Sequence, residues 1–208
     1  MIGNRSLIYF YLLNAKCNRL TSFQCNQISS ALMQAPAIYL KPDFLFAPEV
    51  LFSKLENEII WDERMRARKT ASFGVAYDYS QISYAPTPMP DFLQVICQAL
   101  EDELGFLPNN CLLNFYTDGN SSMGFHSDST DELAEGSGVA IISLGSLRHI
   151  AYRSKQNKNQ EFSYPLLPGS LLYMSAAIQS EWLHAIPKEA GAGARISMTF
   201  RKIKRSCG

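Results

Sequence analysis

The chain has 208 residues, 47% of them hydrophobic and 18% charged, enough for one domain with a sizeable core and too apolar for disorder along its whole length. Its 19 basic and 19 acidic residues cancel, which argues against a protein that coats nucleic acid through bulk positive charge. No apolar run approaches the ~18 residues a membrane span needs. The five scattered cysteines, without a C-x-x-C pair, read as reduced thiols of a cytosol-like compartment, not as a zinc ribbon or a disulfide framework.

Residues 1–42 carry Arg5, Lys16, Arg19 and Lys41 and no acid. We read residues 1–38 as an N-terminal extension, either poorly ordered or a targeting segment, because transit peptides are acid-poor. The folded domain, 39–208, then starts near Tyr39. Residues 48–60 have helical spacing in Val50-Leu51, Leu55 and Ile59. Basic residues gather at Arg64, Arg66, Arg68 and Lys69, again at Arg148, Arg153, Lys155 and Lys158, and at Arg201, Lys202, Lys204 and Arg205. Between the first two groups, residues 70–147 hold ten acids and no Lys or Arg. An acidic middle suits a cation site, and basic flanks can carry a polyanion to it. For any single lysine, solvated surface is the plainer reading.

Residues 77–80 suggest a short strand. Residues 91–104 form the clearest helix, opened by Pro90 and Asp91, with Gln94 placed as in a capping box. Phe92, Val95, Ile96, Ala99, Leu100 and Leu104 make its apolar stripe, and Gly105 ends it. Short apolar runs follow at 111–116, 139–144, 149–153, 170–174, Trp182–Ile186 and 195–203, separated by Gly, Pro and Asn. Several short strands so punctuated suggest a sandwich or barrel. With two helices ahead of them, the class is α+β with an all-β core.

The three histidines are His126, His149 and His184. His126 and Asp128 stand two apart, and in an extended segment such residues project from one face. A third ligand from a distant strand, for which His184 is available, would complete a two-histidine, one-carboxylate facial triad. That set suits a non-heme iron ion and leaves positions open for a cosubstrate and dioxygen. By itself His-x-Asp is a common match, and a lone histidine is more often a satisfied core residue. His149 has no role in this reading and is taken as structural.

Residues 195–201 alternate strictly. Ile196, Met198 and Phe200 take one face; Arg195, Ser197, Thr199 and Arg201 take the other. An amphipathic edge strand explains the alternation but not a face of two arginines without an acid. If that face points into a barrel, two buried guanidiniums need anions, and the arginine fork matches a carboxylate. Asn114 and Tyr116 form a smaller alternation that brings an amide and a phenol to one face.

The order Asn-x-Tyr, His-x-Asp, distant His, then Arg-x-Ser-x-Thr-x-Arg resembles the AlkB family of Fe(II)- and 2-oxoglutarate-dependent dioxygenases. The likeness runs from about Arg68 to Ile203 and includes Ile142-Ser-Leu-Gly145, Pro168-Gly-Ser-Leu-Leu172 and Thr199-Phe-Arg-Lys202. It implies a double-stranded β-helix (jelly-roll) core with N-terminal supporting helices. It implies an enzyme whose iron is held by His126, Asp128 and His184. It implies that 2-oxoglutarate is held by Asn114, Tyr116, Arg195 and Arg201, with Ser197 and Thr199 lining the pocket. Arg195 would meet the distal carboxylate, and Arg201 and Asn114 the one that chelates iron. Ser197 stands where family members often have Asn.

The resemblance further implies oxidative demethylation of N-alkylated nucleobases such as 1-methyladenine and 3-methylcytosine. Dioxygen and 2-oxoglutarate would be consumed, and formaldehyde, succinate and carbon dioxide released, with DNA alkylation repair as the setting. Tyr77 and Tyr79 resemble the segment that touches the nucleotide. Phe73 and Tyr84 add further aromatic faces, and Arg66, Arg68 and Lys69 are candidates for phosphates. Asp131 or Glu132 takes the acidic place behind the metal motif. Neutral overall charge favours single-stranded or locally unpaired substrates. We expect a monomer that binds no membrane, in the cytoplasm or nucleus, or in an organelle if the acid-free start is a leader. The same iron chemistry on a protein or small molecule is the alternative, and a non-catalytic jelly-roll binding module a third reading.

Overall fold

The computed structural model describes residues 35–79 and 82–204, with Tyr79 described in its backbone only. Most of the expected N-terminal extension therefore lies outside the described residues. The described residues from Pro36 onward form one compact unit. Its elements run β1 (Tyr39–Lys41), α1 (Pro48–Glu58), β2 (Lys69–Gly74), β3 (Tyr77–Tyr79), β4 (Ile82–Tyr84), α2 (Asp91–Leu104), β5 (Asn110–Tyr116) and β6 (Met123–His126). Then follow β7 (Gly138–Gly145), β8 (Arg148–Ser154), β9 (Glu161–Leu166), β10 (Leu171–Ser175), α3 (Ala176–Glu181), β11 (Trp182–Ile186) and β12 (Arg195–Arg201).

Every strand pair is antiparallel. One sheet has the order β1-β10-β7-β12-β5-β2, a second β6-β11-β8-β9, and β3 and β4 form a small ribbon. The larger sheet is covered on both faces. On one, Leu55 of α1 and Leu93, Ile96, Cys97 and Leu100 of α2 pack on Ile142, Leu144, Ile196, Met198 and Phe200. On the other, Tyr116, Val139, Ile141, Leu172 and Met174 meet Ile150, Tyr152, Trp182 and Ile186 of the smaller sheet. This two-sheet wrap is the double-stranded β-helix. Each fully buried Leu, Ile or Phe in these layers contributes roughly 1.5–3 kcal/mol. No helix among the described residues is long and apolar enough to cross a membrane.

Strand β12 shows how the wrap works. It lies between β5 and β7 and all seven of its residues are buried. With a period of two, Ile196, Met198 and Phe200 enter the helix-side core, and Arg195, Ser197, Thr199 and Arg201 face the other sheet, where they line a cavity.

Several expectations need correction. The helices do not both precede the strands: β1 comes before α1, and three strands separate α1 from α2. The buried face of α2 is Leu93, Ile96, Cys97 and Leu100, whereas Val95 is 70% exposed. The stripe was centred one position off because the small apolar thiol of Cys97 was not counted as core. No capping box forms, because Pro90 is the N-cap and has no N–H to receive Gln94. Gln94 donates to the Met89 carbonyl instead. Gly105 does end the helix, in the left-handed conformation at φ 79°. Strands β1, β2, β4 and β9 and the helix α3 lie outside the expected elements. β9 is an edge strand, which is where its Pro165 is tolerated. Cys97 and Cys111 are both free and buried, and burial pushes the Cys97 thiol up to about 11.

Candidate metal centre and anion cavity

The cavity between the two sheets is lined by Asn114, Tyr116, His126, Asp128, His184, Arg195, Ser197, Thr199 and Arg201. The structure thus gathers every residue assigned above to the metal and to 2-oxoglutarate. Leu112, Met123, Ile141, Ile150, Leu166 and Ile186 complete its wall.

His126 and His184 are brought together by pairing of β6 with β11, where they stand directly opposite. Their ring centroids are 4.3 Å apart. His126 Nδ1 is 3.0 Å from the Gly124 carbonyl, which leaves Nε2 as the nitrogen for a ligand role. β6 ends at His126, so Asp128 lies beyond the strand. The carboxylate is therefore carried by the unpaired segment that follows the strand, two residues after His126. One potential ligand atom from each of His126, Asp128 and His184 lies within 4.8 Å of the other two. His184 Nε2 is 3.6 Å from Asp128 Oδ2.

Two buried groups here differ in charge state. Burial pushes the Asp128 carboxyl up, but the charges of Arg201, His184 and His126 outweigh it and hold the carboxyl below its ordinary range. Burial drives the His184 imidazole down to about 4, with Asp128 opposing. At neutral pH the site therefore presents a carboxylate and a neutral imidazole, the forms in which both bind metals. Two imidazoles and a carboxylate suit an iron-like ion.

The two arginines of β12 differ in partnership. Arg201 Nη2 donates to Asp128 Oδ1 at 2.7 Å, with both side chains nearly inaccessible, and its guanidinium lies 4.8 Å from the Tyr77 ring centre. Arg195 is fully buried. Its Nη2 donates to Ser143 Oγ at 2.8 Å and its guanidinium is 5.2 Å from the Tyr116 ring centre. Its Nε and Nη1 make no hydrogen bond, and among the described residues no acid pairs with it. Burial lowers its pKa to about 10, with Tyr116 opposing and Arg148 adding to the fall. A buried guanidinium with two idle donors fits an anion supplied from outside. Asn114 is oriented by Arg68, whose Nε donates to Oδ1 at 2.8 Å, so its Nδ2 is the donor available to a ligand.

A separate surface groove is lined by Val75, Ala76, Tyr77, Asp78, Asp131, Glu132, Ile203 and Lys204. Tyr77, only 8% exposed, stands between groove and cavity through its contact with Arg201. Both candidate acids, Asp131 and Glu132, border this groove. The Tyr79 side chain lies outside the described residues. The expectation that Tyr84 and Phe73 offer further aromatic faces is corrected. Tyr84 is buried with its hydroxyl 2.7 Å from Thr70 Oγ1, and Phe73 packs against the helix-side core. Arg68 serves Asn114, and Lys69 pairs with Glu63. In the second basic group, Arg148 is fully buried and donates to the carbonyls of Asp118, Ser121 and Pro187. Arg153 stacks 3.8 Å from the Phe125 ring centre and pairs with Glu161. His149 bonds Glu189 through Nδ1 at 2.9 Å, which suits the structural role expected of it.

Sequence reasoning misses Gln179 altogether, and the roles of Ser143, Arg148 and Lys155, which it places in a family segment and a basic flank. Gln179, on α3, accepts the Asp128 N–H at 2.9 Å. Nothing local marks these residues, since each acts across tens of positions in the chain.

The sequence of residues 54–201 matches the 2OG-Fe(II) oxygenase superfamily. It is 30% identical over 200 residues to the alpha-ketoglutarate-dependent dioxygenase alkB homolog 3 of Rattus norvegicus, covering 85% of this chain and 68% of that one. It is 33% identical over 147 residues to the DNA oxidative demethylase ALKBH2 of Homo sapiens, covering 65% of this chain and 56% of that one. In fold it resembles the structure of OsALKBH1, with a TM-score of 0.59 at 17% identity, covering 81% of this chain and 99% of that one.

Proposed function

The chain belongs to the AlkB family of Fe(II)- and 2-oxoglutarate-dependent dioxygenases, and from that premise we propose that it demethylates N-alkylated nucleobases such as 1-methyladenine and 3-methylcytosine. The substrate is single-stranded or locally unpaired nucleic acid, and DNA alkylation repair is the setting. The enzyme acts as a monomer in the cytoplasm or nucleus. The observation that carries this reading is one cavity that joins the His126, Asp128 and His184 atoms to a buried Arg195 with unused donors, next to a groove bearing Tyr77 and acids. That one of the relatives is a DNA oxidative demethylase supports the substrate class.

In this reading His126, Asp128 and His184 hold Fe(II). The ion, with 2-oxoglutarate and dioxygen, supplies oxidation of an N-methyl group to formaldehyde as the cosubstrate becomes succinate and carbon dioxide. The chain's own residues do the rest. Arg195 takes the distal carboxylate of 2-oxoglutarate on its idle donors, held in direction by Ser143 and the Tyr116 ring. Asn114 turns its Nδ2, and Tyr116 its hydroxyl, to the cosubstrate, and Ser197 and Thr199 line its bed. Arg201 holds the Asp128 carboxylate and stands beside the chelating end. Leu112, Ile141, Ile150 and Ile186 exclude water from the reacting atoms. Tyr77 offers a face on which an unstacked base can rest. Asp131 or Glu132 can accept a hydrogen bond from its exocyclic amine, and the acids suit the positive charge that methylation confers.

The test is release of formaldehyde and succinate from 1-methyladenine and 3-methylcytosine oligonucleotides, as DNA and as RNA, with Fe(II) and 2-oxoglutarate. The reading expects equal amounts of both products and loss of the methyl mark. Succinate without formaldehyde would move the substrate to a protein or small molecule, and neither product would overturn the catalytic reading.

A further inference from the structure

Asp128 is the one member of the triad that no strand holds. β6 stops at His126, and pairing with β11 ends at the His126–His184 rung. A metal ligand on an unpaired segment needs another restraint, since its aim decides affinity. We infer that Gln179, braced by Lys155, is the positioning residue that sets this segment; the inference rests on the triad reading of the proposed function.

Gln179 is 2% exposed and sits on α3, the six-residue helix between β10 of the larger sheet and β11 of the smaller. Its Oε1 accepts the Asp128 backbone N–H at 2.9 Å. Its Nε2 faces Asp128 Oδ2 at 3.5 Å and Met174 Sδ at 3.6 Å. The side-chain amide thus reads both backbone and carboxylate of one residue. Arg201 grips the other oxygen, Oδ1, at 2.7 Å. Oδ2, the oxygen nearer His184, is left with only the weak amide contact and is the one to meet a cation. The division of labour leaves one carboxylate oxygen for charge pairing and one for the metal.

Lys155 closes the clamp. Its Nζ donates to the Gln179 carbonyl at 2.6 Å and to Ser127 Oγ at 3.0 Å. Ser127 stands between the two ligands in sequence, so Lys155 ties the ligand segment to the helix that holds it. The same helix leads straight into β11, which carries His184. One short segment therefore registers Asp128 against His184. Without it Asp128 would keep its arginine partner but lose its aim.

The experiment is calorimetric titration of the full metal-free chain with Co(II), which also reports ligand geometry through its visible absorption. Wild type, His184→Ala, Gln179→Met and Lys155→Met are compared. Gln179→Met keeps side-chain volume but removes both amide contacts. We expect it to weaken Co(II) binding by about 10–100-fold and to alter the absorption band. Lys155→Met removes the brace on Ser127 and on the Gln179 backbone carbonyl but leaves both amide contacts to Asp128, so its loss is smaller. Co(II) binding within twofold of wild type, with an unchanged band, in Gln179→Met would overturn the inference. If that variant does not fold, Lys155→Met decides: unchanged affinity and band overturn the clamp. Equal binding by wild type and His184→Ala would instead remove the triad reading beneath it.

Discussion

The two ends of β12 carry the same residue in opposite circumstances. Arg201 has its anion within the chain: it and Asp128 are a buried, hydrogen-bonded pair. Arg195 has a hydroxyl and a ring, and among the described residues no carboxylate. One guanidinium is therefore paired within the chain, and in the proposed reading the other is completed by the carboxylate of the cosubstrate. A motif that is symmetrical in sequence divides in the fold into a paired half and an unpaired half, because only one end of the strand faces Asp128.

That contrast can be broken or sharpened by substitution. The largest effect is expected from His184→Ala, which removes the centre both arginines serve. Turnover and Co(II) binding should vanish, as measured by formaldehyde release and calorimetry. Arg201→Met should come next. It leaves the Asp128 carboxylate buried without its cation, which costs roughly 3–5 kcal/mol. Chemical denaturation of the metal-free chain should read that loss, and metal binding should fall with it.

Arg195→Met should behave with the opposite sign. Removing a buried cation that has no counter-charge keeps or raises metal-free stability, while the 2-oxoglutarate requirement rises steeply. In the same variant, the rise in melting temperature that 2-oxoglutarate gives wild type by binding the folded state should disappear. If Arg195→Met and Arg201→Met destabilise equally, the division between them is wrong. Arg68→Met should show the smallest effect. It frees the Asn114 amide to rotate, so KM for 2-oxoglutarate should rise severalfold while Co(II) affinity stays unchanged.

How much of this was legible before folding follows from the range of each interaction. The faces of β12 and the ligand order could be read because a period of two is local and strict. The face of α2 was misjudged by one position, since whether Val95 or Cys97 is buried depends on where the sheet lies. The aim of Asp128 could not be read at all. It is set by Gln179, 51 positions away, and by a lysine that looked like solvated surface. Arg148 looked like part of a basic flank, yet it is fully buried and ties the loop after β5 to the turn after β11. Nothing in its neighbours announces three carbonyls waiting for it.

The measurement that bears most directly on the account is calorimetric titration of 2-oxoglutarate into the Mn(II)-loaded wild type and Arg195→Met chains. Truncating one partner of a buried charge pair costs about 2–5 kcal/mol, so the variant should bind ~30-fold more weakly or worse, with its Mn(II) affinity intact. Equal 2-oxoglutarate affinity in the two proteins would contradict the claim that Arg195 is the anion receptor of this cavity.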